Sequence, residues 1–102
     1  MAERVNPAEI RIAITFGVAR PVLVLWVDEE QDTCLVAAIT RSKLIEPRYK
    51  LAPKDARPFN GSVTTSICRY SLSQLALKPA RATLSRSKFD RVVAWIKAEI
   101  DL

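Results

Sequence analysis

Arg20 and Thr40 are the residues of this 102-residue chain best suited to chemistry. Arginine offers a permanently charged fork of N–H donors that fits a phosphate. Threonine offers a hydroxyl that orients an oxygen or passes a proton. Between them, two apolar runs, Val22–Val27 and Thr33–Ile39, flank the acidic break Asp28-Glu29-Glu30-Gln31-Asp32. That is the pattern of two buried strands joined by a polar turn. The outer ends of such a pair lie side by side, so Arg20 and Thr40 are expected to meet at one edge of a sheet. Downstream, Arg41, Lys43, Arg48 and Lys50 form a basic stretch around Tyr49. Arg57-Pro58-Phe59 sets a cation beside a ring in a Pro- and Gly-containing loop, a combination that can stack a base. Thr65 and Ser66 are polar positions of a later strand and make a further possible polar site.

Much chemistry is excluded outright. The chain has no histidine, which removes the Ser-His-Asp triad, the Cys-His dyad and any imidazole metal site. Cys34 and Cys68 stand alone without metal-ligand spacing and are expected as reduced, partly buried thiols. The acidic break lacks the later Gly and Glu of an EF-hand and reads as a solvated turn. No metal or cofactor is expected. The formal net charge of +5 favours phosphate-bearing partners. There is no run of about 18 apolar residues to span a membrane, and the N-terminus lacks the apolar core of a signal peptide. The expectation is one cytoplasmic domain over residues 1–102, with residues 1–8 as a mobile arm.

The elements that would position these residues are mostly strands. Ile10, Ile12, Ile14 and Phe16 alternate with Arg11, Ala13 and Thr15, which predicts a strand with one buried face. Gly17 to Pro21 reads as a turn into the next strand. Val22–Val27 is apolar at every position and Thr33–Ile39 nearly so. Such strands are covered on both faces, which requires a sheet curled into a barrel or a partner chain on one face. Short strands are expected near Tyr49–Leu51 and Ala80–Leu84, a longer one over Ser62–Tyr70, and one helical turn over Ser71–Leu75. The last element is a helix capped by Ser85, with Phe89, Val92, Val93, Ile96 and Ile100 striping one face. Trp95, beside that stripe, is an anchor to the sheet or to another chain.

The order of these elements resembles the MazF/PemK (Kid) family of bacterial toxins. The residues that carry the resemblance are Arg20-Pro21-Val22-Leu23-Val24-Leu25, Val36-Ala37-Ala38-Ile39-Thr40, and Leu84-Ser85 at the opening of the last helix. It spans about residues 10–100. It implies a mainly β domain with a C-terminal helix, built as a small SH3-like antiparallel barrel. It also implies a homodimer, a cognate antitoxin partner, and metal-independent cleavage of single-stranded RNA. Arg20 and Thr40 match the family's catalytic or substrate-contacting arginine and threonine. Arg41, Lys43, Arg48, Lys50, Arg57 and Phe59 are then candidates to bind RNA. Three features depart from the family pattern, the first being Ala8-Glu9 in place of a Gly-Asp-type strand start. Gly17-Val18-Ala19 stands in place of a long first loop, and Thr65-Ser66 in place of an aspartate on the penultimate strand. They keep open the alternative of a catalytically reduced RNA-binding or protein-interaction module.

Overall fold

The computed structural model describes residues 4–15, 17–52 and 61–100. Six strands form one sheet: β1 (Glu9–Thr15), β2 (Val18–Asp28), β3 (Thr33–Thr40), β4 (Arg48–Lys50), β5 (Ser62–Ser71) and β6 (Ala82–Thr83). A one-turn helix α1 (Leu72–Leu75) follows β5, and α2 (Arg86–Ile100) closes the chain. The strand order is β4-β5-β3-β2-β1-β6, and every pairing is antiparallel. The architecture is mainly β with a C-terminal helix, as expected. No helix among the described residues is long and apolar enough to cross a membrane.

The turn between β1 and β2 is tighter than expected. Gly17, at φ +76°, turns the chain, and β2 begins at Val18. Arg20 and Pro21 are therefore not in the turn but inside β2, opposite Ala13 and Ile12. Proline is tolerated here for a directional reason. The Ala8 N–H donates to the Val24 carbonyl (2.9 Å), so even-numbered residues of this part of β2 aim their amide groups at β1. Odd-numbered residues face β3, and Pro21 is one of them. Its missing N–H costs the β1 ladder nothing.

Both faces of the sheet are covered by the chain itself. On one face, Ile10, Leu23, Ile39 and Val63 pack beneath Val92 and Ile96 of α2. On the other, Val22, Val24, Cys34 and Val36 pack with Val5 of the N-terminal segment and Leu75 of α1. This is why Val22, Leu23 and Val24 are consecutive apolar residues and all buried. Arg4–Ala8 of the expected arm lie against the sheet, with Val5 only 5 % exposed.

The simple alternation foreseen for β1 does not hold. Ile10 is buried but Ile14 is 54 % exposed, and Arg11 between them is fully buried. The reason is a dense set of acceptors. The Arg11 guanidinium donates to Glu9 Oε1 (3.0 Å), to the carbonyls of Leu75 (3.3 Å) and Lys78 (2.9 Å), and to that of Arg4 (2.8 Å). A charge can be buried when its donors are met in this way. Arg11 thereby ties the N-terminal segment and the end of α1 to β1.

The acidic break builds its own turn. Asp28 Oδ1 accepts from the N–H groups of Glu30 (3.1 Å) and Gln31 (3.3 Å), and Asp32 takes a left-handed φ of 51°. Glu29 pairs with Arg4 at 2.9 Å. At the far end, α2 is capped by Ser85 Oγ, which accepts from the Lys88 N–H (3.3 Å). Trp95 resolves toward the sheet: its ring meets Tyr49 of β4 edge-on, centroids 5.7 Å apart.

Candidate functional site

Strand register assembles the site. Thr40 of β3 lies opposite Ser62 of β5, and Ser62 lies opposite Lys50 of β4. Directly opposed residues share a sheet face, so Lys50, Ser62 and Thr40 form one cross-strand row. Arg48, opposite Thr64, joins the same face one pleat along. The β2–β3 ladder ends at Val22 opposite Ala38. Two more residues of that register would set Arg20 against Thr40.

The ladder ends there because Pro21 has no N–H to give β3. The strands part, and a cavity of about 440 Å³ opens between Arg20, Pro21, Ile39, Thr40 and Arg41. A second cavity of about 240 Å³ adjoins it. It shares Thr40 and Arg41 and adds Ser42, Lys43, Arg48, Lys50, Gly61 and Ser62. The Lys50–Ser62–Thr40 row lies on the face that carries Val22, Val24 and Val36, whereas the larger cavity also reaches Ile39 of the α2-covered face, and neither cavity is lined by α1 or the N-terminal segment.

Thr40 Oγ1 accepts from the Ser42 N–H (3.0 Å), which fixes the oxygen and leaves the hydroxyl hydrogen to donate. Ser42 Oγ accepts in turn from the Leu44 N–H (3.1 Å). Arg48 Nη1 donates to the Lys43 carbonyl (2.6 Å), the Ile45 carbonyl (3.4 Å) and Glu46 Oε1 (2.8 Å). Arg20, Arg41, Lys43 and Lys50 are exposed, and their side chains have no hydrogen-bond or ion-pair partner among the described residues. No residue lining either cavity is a carboxylate. Five cations surround one opening, and four of them, Arg20, Arg41, Lys43 and Lys50, are not offset by an acid among the described residues, which makes a field that attracts a polyanion.

Other expected site residues fall elsewhere. Thr65 and Ser66 sit in a bulge of β5: Val63 faces Ile39 and Ile67 faces Ala37, so three residues oppose Ala38 alone. Thr64 holds that bulge by donating to the Ala38 carbonyl (2.9 Å) and accepting from the Ser66 N–H (3.2 Å). Neither Thr65 nor Ser66 lines the two cavities. Arg57 and Phe59 lie outside the described residues. Among the described residues no three His, Cys, Asp or Glu are grouped so as to hold a metal ion.

Sequence reasoning missed Ser42, Gly61 and Ser62. The Thr-x-Ser spacing of 40–42 is the signal for a hydroxyl-capped turn and was there to be used. Gly61 carried no signal. Its need comes from close approach, since a Cβ there would stand 2.9 Å from the Thr40 carbonyl oxygen.

A six-stranded antiparallel sheet with a C-terminal helix and an open cationic cleft at one sheet end defines the class of fold. No family model and no curated protein matches the sequence. Solved structures do match. A mycobacterial endoribonuclease in complex with its cognate antitoxin superposes with a TM-score of 0.78 at 12 % identity, covering 98 % of this chain and 96 % of that one. The MazE–MazF complex of Deinococcus radiodurans gives 0.74 at 14 % identity, covering 96 % of each chain. Toxin MazF-mt6 of Mycobacterium tuberculosis gives 0.69 at 21 % identity, covering 92 % and 97 %. The chain has the MazF-type fold over nearly its full length.

Proposed function

We propose that the chain is the toxin component of a type II toxin–antitoxin system, an endoribonuclease that cleaves single-stranded RNA in the cytoplasm without a metal. It acts as a homodimer and is held in check by a cognate antitoxin. The observation that carries this is the pairing of Arg20 and Thr40 on one cleft, continuous with a cavity lined by further cations, in a MazF-type fold.

In this reading the 2′-oxygen of the substrate attacks the neighbouring phosphorus. The bond from phosphorus to the 5′-oxygen breaks, leaving a 2′,3′-cyclic phosphate and a 5′-hydroxyl. Arg20 offers two N–H donors to the crowded phosphate, where charge builds up. Thr40, its oxygen fixed by Ser42, donates to a non-bridging oxygen or to the departing 5′-oxygen. No carboxylate, thiol or imidazole lines the cleft among the described residues, so the 2′ proton passes to solvent and solvent returns one to the departing 5′-oxygen.

The test is incubation of the purified protein with long single-stranded RNA in chelator. Discrete fragments are expected, and Arg20→Ala should lower their rate by about 10²–10³, the usual effect of removing one such donor. Uncut RNA would refute the nuclease reading. The lack of a base in the cleft favours a second reading, a catalytically reduced RNA-binding or protein-interaction module. Salt-dependent binding of the same RNA without fragments would establish it.

A further inference from the structure

The smaller cavity is more than a charged margin of the cleft. Its walls are held in place by bonds within the chain. Two successive hydroxyl caps, Thr40 to Ser42 and Ser42 to Leu44, shape its entry. One arginine then gathers two carbonyls and a carboxylate of residues 43–46. Gly61 forms the back wall at a point where any Cβ would strike Thr40 and Ile39. What remains open is about 240 Å³ beside Arg41, Lys43 and Lys50. Lys50 lies two strands from Thr40 in the same row, roughly 10 Å by strand spacing. That separation suits a neighbouring phosphate rather than the same one.

We propose that this cavity is a second phosphate subsite. It holds the phosphodiester next along the strand from the one between Arg20 and Thr40, through Arg41, Lys43 and Lys50. Arg48 is a positioning residue: its Nη1 is committed to the 43–46 backbone and Glu46, and it keeps the subsite open rather than supplying the charge. The substrate is therefore a strand with at least two consecutive phosphodiesters. This inference rests on the proposed nucleic-acid role, but its test does not require cleavage.

The probes are uncleavable DNA oligonucleotides, a thymidine dinucleotide with one phosphate and a trinucleotide with two. Binding is measured by calorimetry or NMR titration between 20 and 200 mM salt, concentrations at which backbone contacts are salt-sensitive. The second phosphate should tighten binding several-fold at the lowest salt and steepen the plot of log K against log salt by up to about 0.7. The double variant K43A/K50A should lose that gain, binding the trinucleotide no more tightly than the dinucleotide at each salt concentration. Both substitutions lie on the exposed surface, and a melting curve verifies the fold.

Arg48→Lys keeps the charge but cannot bridge three acceptors. It should lose the gain as fully as Arg48→Ala. Retention of the gain in Arg48→Lys would overturn the positioning role, and no gain in wild type would overturn the subsite. RNA that is cut without such a gain sinks the subsite and leaves the nuclease standing. A gain without cutting sinks the nuclease and leaves the subsite.

Discussion

Arg11 decides stability more than any residue of the site. Its guanidinium satisfies three carbonyls from two separate segments, residue 4 and residues 75–78, and it is buried completely. Arg11→Ala leaves those carbonyls without their donor and the Glu9 carboxylate with the Asn6 N–H but no cation. The expected loss is about 3–5 kcal/mol in urea unfolding, the range seen when one member of a buried charged set is removed. Cys34 gives a pH-dependent effect at the same scale. Burial, reinforced by the Asp32 carboxylate, pushes its thiol above the ordinary range. Below about pH 8.5 the thiol is neutral in both states and has no effect on the slope. Above that the unfolded chain ionises first, so stability falls with pH until the folded value is passed. Unfolding curves from pH 7 to 10 should show a shallower fall in Cys34→Ala than in wild type, whatever the offset from the lost sulfur.

Among the elements, the junction of β2 with β3 shapes function. Pro21 ends the ladder on the β3 side and leaves the β1 side intact. Pro21→Ala restores an N–H aimed at β3. The new amide should be protected in hydrogen exchange, with stability changed by no more than about 1 kcal/mol. The cleft between Arg20 and Thr40 should narrow, and RNA affinity should fall although no charge has been removed. A slow amide with unchanged affinity would separate the ladder from the cleft. Gly61 works from the other side. Gly61→Ala presses on the Thr40 carbonyl at 2.9 Å and should cost about 1–3 kcal/mol, the scale of overpacking. A backbone contact cannot relax as a side-chain tip does.

The whole molecule separates its charges along the sheet. Asp28, Glu29, Glu30 and Asp32 occupy one end of the β2–β3 hairpin, while Arg20 and Arg41 stand at the other with Lys43, Arg48 and Lys50. A polyanion is steered to the second end and repelled from the first. RNA affinity should thus fall steeply with salt, and Arg41→Ala should reduce the slope by about 0.7 without changing sequence preference. Cleavage rate carries a second whole-site signature. With no carboxylate or imidazole in the cleft to act as base, it should climb between pH 6 and pH 9. A flat profile across that pH series, as a carboxylate already ionised at pH 6 would give, would show that a residue outside the described cleft supplies the base.

Local pattern was enough to locate most elements, because strands and helices are written in short-range periodicity. Val22–Val27, Thr33–Ile39, Ser62–Tyr70 and the Ser85-capped helix all lie within the observed elements. It was also enough to nominate Arg20 and Thr40, since a hairpin brings its ends together whatever surrounds it. Three matters belonged to the tertiary structure alone. The doubly apolar β2 is covered by residues 4–8, α1 and α2 of its own chain. The charged Arg11, read as the outer face of a strand, is buried because acceptors arrive from more than 60 positions away. Pro21, read as a turn, opens the cleft because its amide direction depends on which neighbour each face of β2 meets. Each of these is fixed by where distant backbone groups point, and a linear sequence does not record that.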